Sequence, residues 1–191
     1  MKKTFIIALK IGLGLVALLI MLGNNCITSG NIVVMIDDLG VLEGQTNTHF
    51  THVEADLESD KYTNWKDHRD QLNSIDDIGF ACKITNHKPS VATGQIWISK
   101  EKYSSPDEMM ADTANAVKVL DGIAIPAAKD TIPGVRSIEW NESADFLSNF
   151  DGAKTIIYAK KKFYLYFMVK QTPFHIDVED IIIFLSCNGR P

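Results

Sequence analysis

The stretch "IGFACKIT" at 78–85 sets Ile78, Phe80, Cys82 and Ile84 against Gly79, Ala81, Lys83 and Thr85. Strict alternation of this kind puts one apolar row on a single face, so it predicts a half-buried strand. Further on, "KKKFYLYFMV" sends Phe163, Leu165, Phe167 and Val169 one way and Tyr164, Tyr166 and Met168 the other. A chain with two such runs needs a sheet, and at 191 residues it has room for one core to cover it.

Other elements follow from local signals. "NIVVMIDDLG" (31–40) reads as a short strand, "QIWISKEKY" (95–103) as a second strand after the turn-like "NHKPSVATG", and "GVRSIEW" (134–140) as another. "SSPDEMMADTANAVKVLDG" predicts a helix: Ser105 caps it, Pro106 takes the first position, Glu108 completes a capping box and Gly122 stops it. "AKTIIYAKKKFYLYFMVKQ" (153–171) reads as a hairpin turning at its lysines. "TPFHIDVEDIIIFLSCNG" places Phe174, Val178, Ile181, Ile182 and Leu185 at helical spacing and predicts a terminal helix ahead of the strand that its run of isoleucines keeps open. Val41 to Ser74 is polar and reads as a connector, with one helical stretch lining up Tyr62, Trp65, Arg69 and Leu72. The expected layout is thus an N-terminal segment (1–30), a short strand with a polar linker (31–75) and a globular α+β domain (76–191). No internal repeat or low-complexity tract interrupts it.

The N-terminus constrains location. From Phe5 to Gly23 nineteen residues are interrupted only by Lys10, enough to span about 28 Å as a helix. Counted from Ile11 the run is thirteen residues, the size of a signal-peptide core. "TSG" at 28–30 offers a distant cleavage site, and "GNNC" departs from a lipobox at Asn24 and Asn25, so we expect an uncleaved signal anchor ahead of a cleaved signal. No lysine or arginine lies between Asn24 and Asp60, a stretch with seven acids. This asymmetry keeps the N-terminus cytoplasmic and sends the body across, leaving it membrane-anchored outside, or secreted or periplasmic if cleaved. Beyond residue 30 there are 16 basic against 24 acidic residues, which argues against a nucleic-acid partner.

The order of elements, with "GFACKI", "SPDEMM" opening a helix, Gly134 before a strand and "KKKFYLYFMV" before a last helix ending "FLSC", resembles the PsbP-like fold over residues 76–189. That resemblance implies an antiparallel β-sheet flanked by helices, in a non-enzymatic domain acting through partners or ligands. The Pro-x-x-Trp after the first strand is missing; "NHKPSV" keeps only Pro89.

Candidate chemistry is sparse. "THFTHVEAD" gathers His49, His52, Glu54 and Asp56, the strongest metal-binding alternative. On a strand, however, the two histidines would face opposite ways, and the expectation is a solvated linker. Asp67, His68 and Asp70 adjoin without evident convergence, and His87 and His175 read as isolated surface or capping residues. The acid pairs at 37–38 and 76–77 read as solvated turns. Cys82 shares the apolar row of its strand, which makes an inert thiol of it rather than a nucleophile working with His87. Cys82 and Cys187 lack metal-site spacing and are open to pairing in an oxidising compartment, with Cys26 left over. Neither a hydrolase elbow nor a P-loop nor a dinucleotide fingerprint occurs, so no enzyme activity and no cofactor is expected. The best candidate surface is aromatic: Trp97, Tyr164 and Tyr166, as a patch for a protein partner or envelope component. The competing expectation is that the terminal helix covers them.

Overall fold

The computed structural model describes residues 30–37, 39–45, 50–159, 162–170 and 173–189. The anchor segment at 5–23, Cys26 and His49 lie outside these residues, as does most of the "KKK" run. Among the described residues no helix is long and apolar enough to cross a membrane.

Among the described residues nine strands form two antiparallel sheets. Sheet A contains β1 (Gly30–Ile36), β2 (Leu42–Gln45), β4 (Leu72–Asn86), β7 (Gly134–Ile138) and β9 (His175–Gly189). Its spine is β9, which pairs with β4 along one edge and with β2 and then β1 along the other. Sheet B runs in the order β3 (Phe50–Asp56), β8 (Lys162–Val169), β5 (Ala92–Ser99), β6 (Ala116–Ile125). The apolar rows of both sheets meet in one core: Ile36, Phe80, Ile84, Val178, Ile183 and Leu185 from sheet A, Ile96, Ile98, Phe163, Leu165 and Phe167 from sheet B. Short helices close the margins. Tyr62 and Trp65 enter the core beside and within α1 (Thr63–His68), and Ala153, Ile156 and Ile157 enter it from α4 (Phe150–Ala159). Two further α-helices among the described residues are α2 (Pro106–Ala111) and α3 (Trp140–Ser143).

The antiparallel sheet with accompanying helices is therefore present, but as two sheets instead of one flanked by helices. Four local expectations are corrected. First, the terminal helix is strand β9. Its buried residues are Phe174 just ahead, then Ile176 and Val178, then Ile181, Ile183, Leu185 and Cys187. The phase changes at Asp180, which has φ +52°, where the β4–β9 register also slips. A bulge there turns a two-residue step into a three-residue one, and that imitates helical spacing. Second, the capped helix lasts only to Ala111. Its cap is as expected, with the Ser105 side chain accepting from the Glu108 amide at 3.2 Å, but β-branched Val117, Val119, Ile123 and Ile125 continue as β6. Third, the first arm of the lysine hairpin is helix α4, whose Ala153, Ile156 and Ile157 stack at three- and four-residue steps. Fourth, the expected strand and helical stretch are present as β1 and α1, but the connector between them also supplies β2 and β3, so the core draws on residues well before 76.

Candidate functional site

The outer face of sheet B is built by register. Trp97 on β5 lies opposite Tyr166 on β8, which lies opposite His52 on β3. The next row holds Glu54, Tyr164 and Ser99. Since Phe163, Leu165 and Phe167 must face the core, the pleat forces Tyr164 and Tyr166 outward. The three aromatic residues singled out in the sequence thus share one face, and they are covered by a different element from the one anticipated. The segment 100–115, including α2, crosses the face as a strap. Met109 of the strap is buried against Ala116, Tyr166 and Met168, with Trp97, Tyr164 and the strap's own Tyr103 packed partly exposed alongside.

The strap is fastened by polar contacts. Tyr166, fully buried, accepts a 2.7 Å hydrogen bond at its hydroxyl from the Tyr103 amide. Tyr103 in turn donates to Asp112 Oδ2 at 2.7 Å, and Asn115 donates to both Asp112 oxygens. Desolvation and the Asp112 carboxylate push the Tyr103 phenol up to about 12. Bonds from Asn115, then Tyr103, hold Asp112 below the usual carboxylate range. Ser99 fixes the near end, accepting from the Glu101 amide and donating to the Glu101 carbonyl.

Two clefts flank the strap. One, of about 440 Å³, is lined by His52, Lys102, Tyr103, Ser104 and Glu108. The other, of about 480 Å³, lies between Pro106, Asp107 and Met110 of α2 and the sheet residues Gln95, Met168 and Lys170. In the first cleft the His52 ring lies 5.2 Å from the Tyr166 ring and 6.1 Å from that of Tyr164. Burial, then the nearby Lys102 charge, lower its pKa below the ordinary 6.5. Glu54 pairs with Lys162 at 2.6 Å, and that bond, with a smaller contribution from Tyr164, depresses its carboxyl. The Trp97 indole donates to Gln95 at 3.3 Å, and Gln95 donates to Asp121. The arrangement combines flat aromatic surface with fixed donors and acceptors, which suits recognition of a partly polar ligand.

The remaining candidates scatter. "THFTHVEAD" is largely edge strand β3 instead of linker, and Asp56 turns back to accept from the Glu58 amide. His52 and Glu54 share the outer face but are engaged by aromatic rings and by Lys162. His68 bonds the Asn64 carbonyl, so the Asp67–His68–Asp70 cluster does not converge on it. Cys82 is a free, buried thiol that desolvation pushes up to about 12, while His87 turns to Asp177. Cys187 is also free and buried. It pairs opposite Ile75, seven positions along β4 from Cys82, roughly 20 Å at strand rise and beyond disulfide reach. Sequence reasoning missed one grouping. His87 and His175, taken as isolated, meet beside Asp177 on sheet A; only the pairing of β4 with β9 could reveal it.

No known protein family matches the chain, and no curated protein matches it. Solved structures that resemble it include the xylan-binding module CBM15 at TM-score 0.36 and 12% identity, covering 82% of this chain and 97% of that one. A Desmodium yellow mottle tymovirus chain gives TM-score 0.27 and 8% identity over 83% of this chain and 89% of that one. A turnip yellow mosaic virus chain gives 0.30 and 10% over 84% and 82%. Likenesses this low carry no functional argument.

Proposed function

We propose that this is a non-catalytic contact domain, carried across a membrane by residues 5–23, that engages another protein or an envelope component through the outer face of sheet B. The observation that carries the reading is the partly exposed set His52, Trp97, Tyr103 and Tyr164, held around the buried Tyr166 and flanked by a cleft on each side of the strap. Tyrosine and tryptophan offer large contact area at little conformational cost, and their polar ends are already oriented by Asp112, Glu54 and Gln95. The acidic body and the basic, apolar N-terminus support export. The PsbP-like resemblance implies the same kind of role, although strands replace the terminal helix it rested on.

The test is site-directed photocrosslinking in living cells of the source organism. A photoreactive amino acid replaces Lys102 at the cleft or, as control, Val135, which is 48% exposed on β7 of the other sheet. A discrete adduct from position 102 that is absent from position 135 is the expected result. Equal yields from both positions, or none from position 102, would overturn the assignment of this face.

A further inference from the structure

The outer face of sheet A carries a second feature, independent of the aromatic surface. Asp177 and His175 lie two apart on β9, so their side chains emerge on the same face. Thr85 pairs with Asp177 and Asn86 with Ile176, which brings the following residue, His87, opposite His175. The backbone confirms the step: the His87 amide donates to the His175 carbonyl at 2.9 Å. Ile176, Val178, Ile84 and Asn86 are buried, so 87, 175 and 177 face outward. Two side chains from β9 and one from the residue just past the end of β4 thus converge.

They converge closely. His87 Nε2 is 2.7 Å from Asp177 Oδ2, the two imidazole centroids are 4.3 Å apart, and one donor atom from each of the three lies within 4.8 Å of the others. A tetrahedral ion with ligand bonds of about 2.0–2.1 Å holds neighbouring donors roughly 3.3 Å apart. Closing around one therefore asks only that the His87–Asp177 contact open slightly and His175 move inward. The loop bearing His87 is anchored: buried Asn86 donates to the Ser90 and Pro126 carbonyls at 2.8 and 2.9 Å and accepts from the Lys88 amide. An ion pair between His87 and Asp177 alone would not require the second imidazole.

We infer that His87, His175 and Asp177 form a binding site for a late first-row divalent cation of the zinc class, with an open coordination position toward solvent. Two imidazoles and one carboxylate suit zinc, cobalt or nickel, whereas calcium and magnesium want six or more oxygens. All three side chains are partly exposed, so water or a donor from a partner can complete the sphere.

The test uses the full-length protein, stripped with chelator and titrated with Zn²⁺ by calorimetry. Co²⁺ serves as a second probe, because its visible spectrum reports tetrahedral nitrogen and oxygen ligation. One saturable equivalent per chain is expected. His175→Ala and Asp177→Asn should each weaken it about tenfold to a hundredfold or more, since even supporting residues around metal sites cost that much. Both are outward positions, and unchanged far-UV circular dichroism shows that the sheets persist. The double variant His49→Ala/His52→Ala should bind as the parent does. The inference fails if no saturable equivalent appears, if His175→Ala and Asp177→Asn bind as the parent does, if the double variant abolishes binding, or if Mg²⁺ or Ca²⁺ competes at equal concentration.

Discussion

Replacing Tyr166 with phenylalanine isolates what fastens the strap to sheet B. The ring is fully buried and would stay, so no cavity opens and the Met109 and Met168 contacts are kept. What goes is the hydroxyl that accepts from the Tyr103 amide at 2.7 Å. A typical hydrogen bond contributes about 0.5–1.5 kcal/mol net, and a donor left without partner or water costs about 1–3 kcal/mol. Tyr103 is only partly buried, so water will reach its amide at times, and about 1–2 kcal/mol is the appropriate range. For a domain of this size that lowers Tm by about 2–8 °C. In urea the midpoint should fall while the slope stays constant, because the surface exposed on unfolding is unchanged.

Hydrogen exchange gives the sharper readout. The Tyr103 amide should exchange about tenfold faster in Tyr166→Phe, the rate equivalent of roughly 1.4 kcal/mol. Strap amides held by other contacts, such as that of Asn115 on the Asp112 carbonyl, should respond less. If Tyr103 keeps its protection and the urea midpoint does not move, the hydroxyl is not what holds the strap. The account of the aromatic face would then need another fastening.

Two further outcomes follow from local geometry. Gly79→Ala should destabilise by about 1–3 kcal/mol, the range for overpacking. A Cβ there would sit 1.8 Å from Trp140 Cδ1, forcing off a ring that now stacks on Phe184 at 5.8 Å. Denaturation and tryptophan emission together check this, and an unchanged spectrum at full stability would refute it. His52 makes stability depend on pH with a defined sign. Its folded pKa lies below 6.5, so the unfolded chain takes up its proton first. The contribution is complete above about pH 6.5 and is lost as pH falls through that value toward the folded pKa. Urea midpoints across this range should decline less steeply in His52→Gln than in the parent; identical slopes would count against the burial of the imidazole.

The strands with plain alternation were legible in the sequence: the apolar rows of β4 and β8 run as the period-2 pattern requires, and Tyr164 and Tyr166 oppose Phe163 and Phe167. Where reading failed, a physical cause interfered. In β9 one bulge at Asp180 shifted the phase and produced helical spacing from strand residues. At 105–125 a genuine cap and a first turn concealed that Asp112 ends the helix, its side chain tied to Tyr103 and Asn115. β3 escaped notice because an edge strand with one polar and aromatic face offers only Val53 and Ala55 as inward apolar residues. The His87–His175–Asp177 group could not be read at all, since His87 lies 90 positions before Asp177 and is joined to the β9 pair only by strand register.

The same alternation explains how one small core supports two unrelated outer surfaces. A one-residue slip of β8 would place Tyr164 and Tyr166 in the core and expose Phe163, Leu165 and Phe167, and burial of those three forbids it. On β9 the bulge at Asp180 lets one strand keep two registers, so Ile176 and Val178 stay inward while His175 and Asp177 stay outward, ahead of the phase change. Inner residues thus fix the positions of outer ones without touching them. Substitutions at His175 or Asp177 should therefore leave the core between the sheets largely intact, those at Trp97 or Tyr164 should be felt mainly in the small cluster under the strap, and changing the inward neighbours Ile98, Leu165 or Ile176 would disturb the core and the outer faces together.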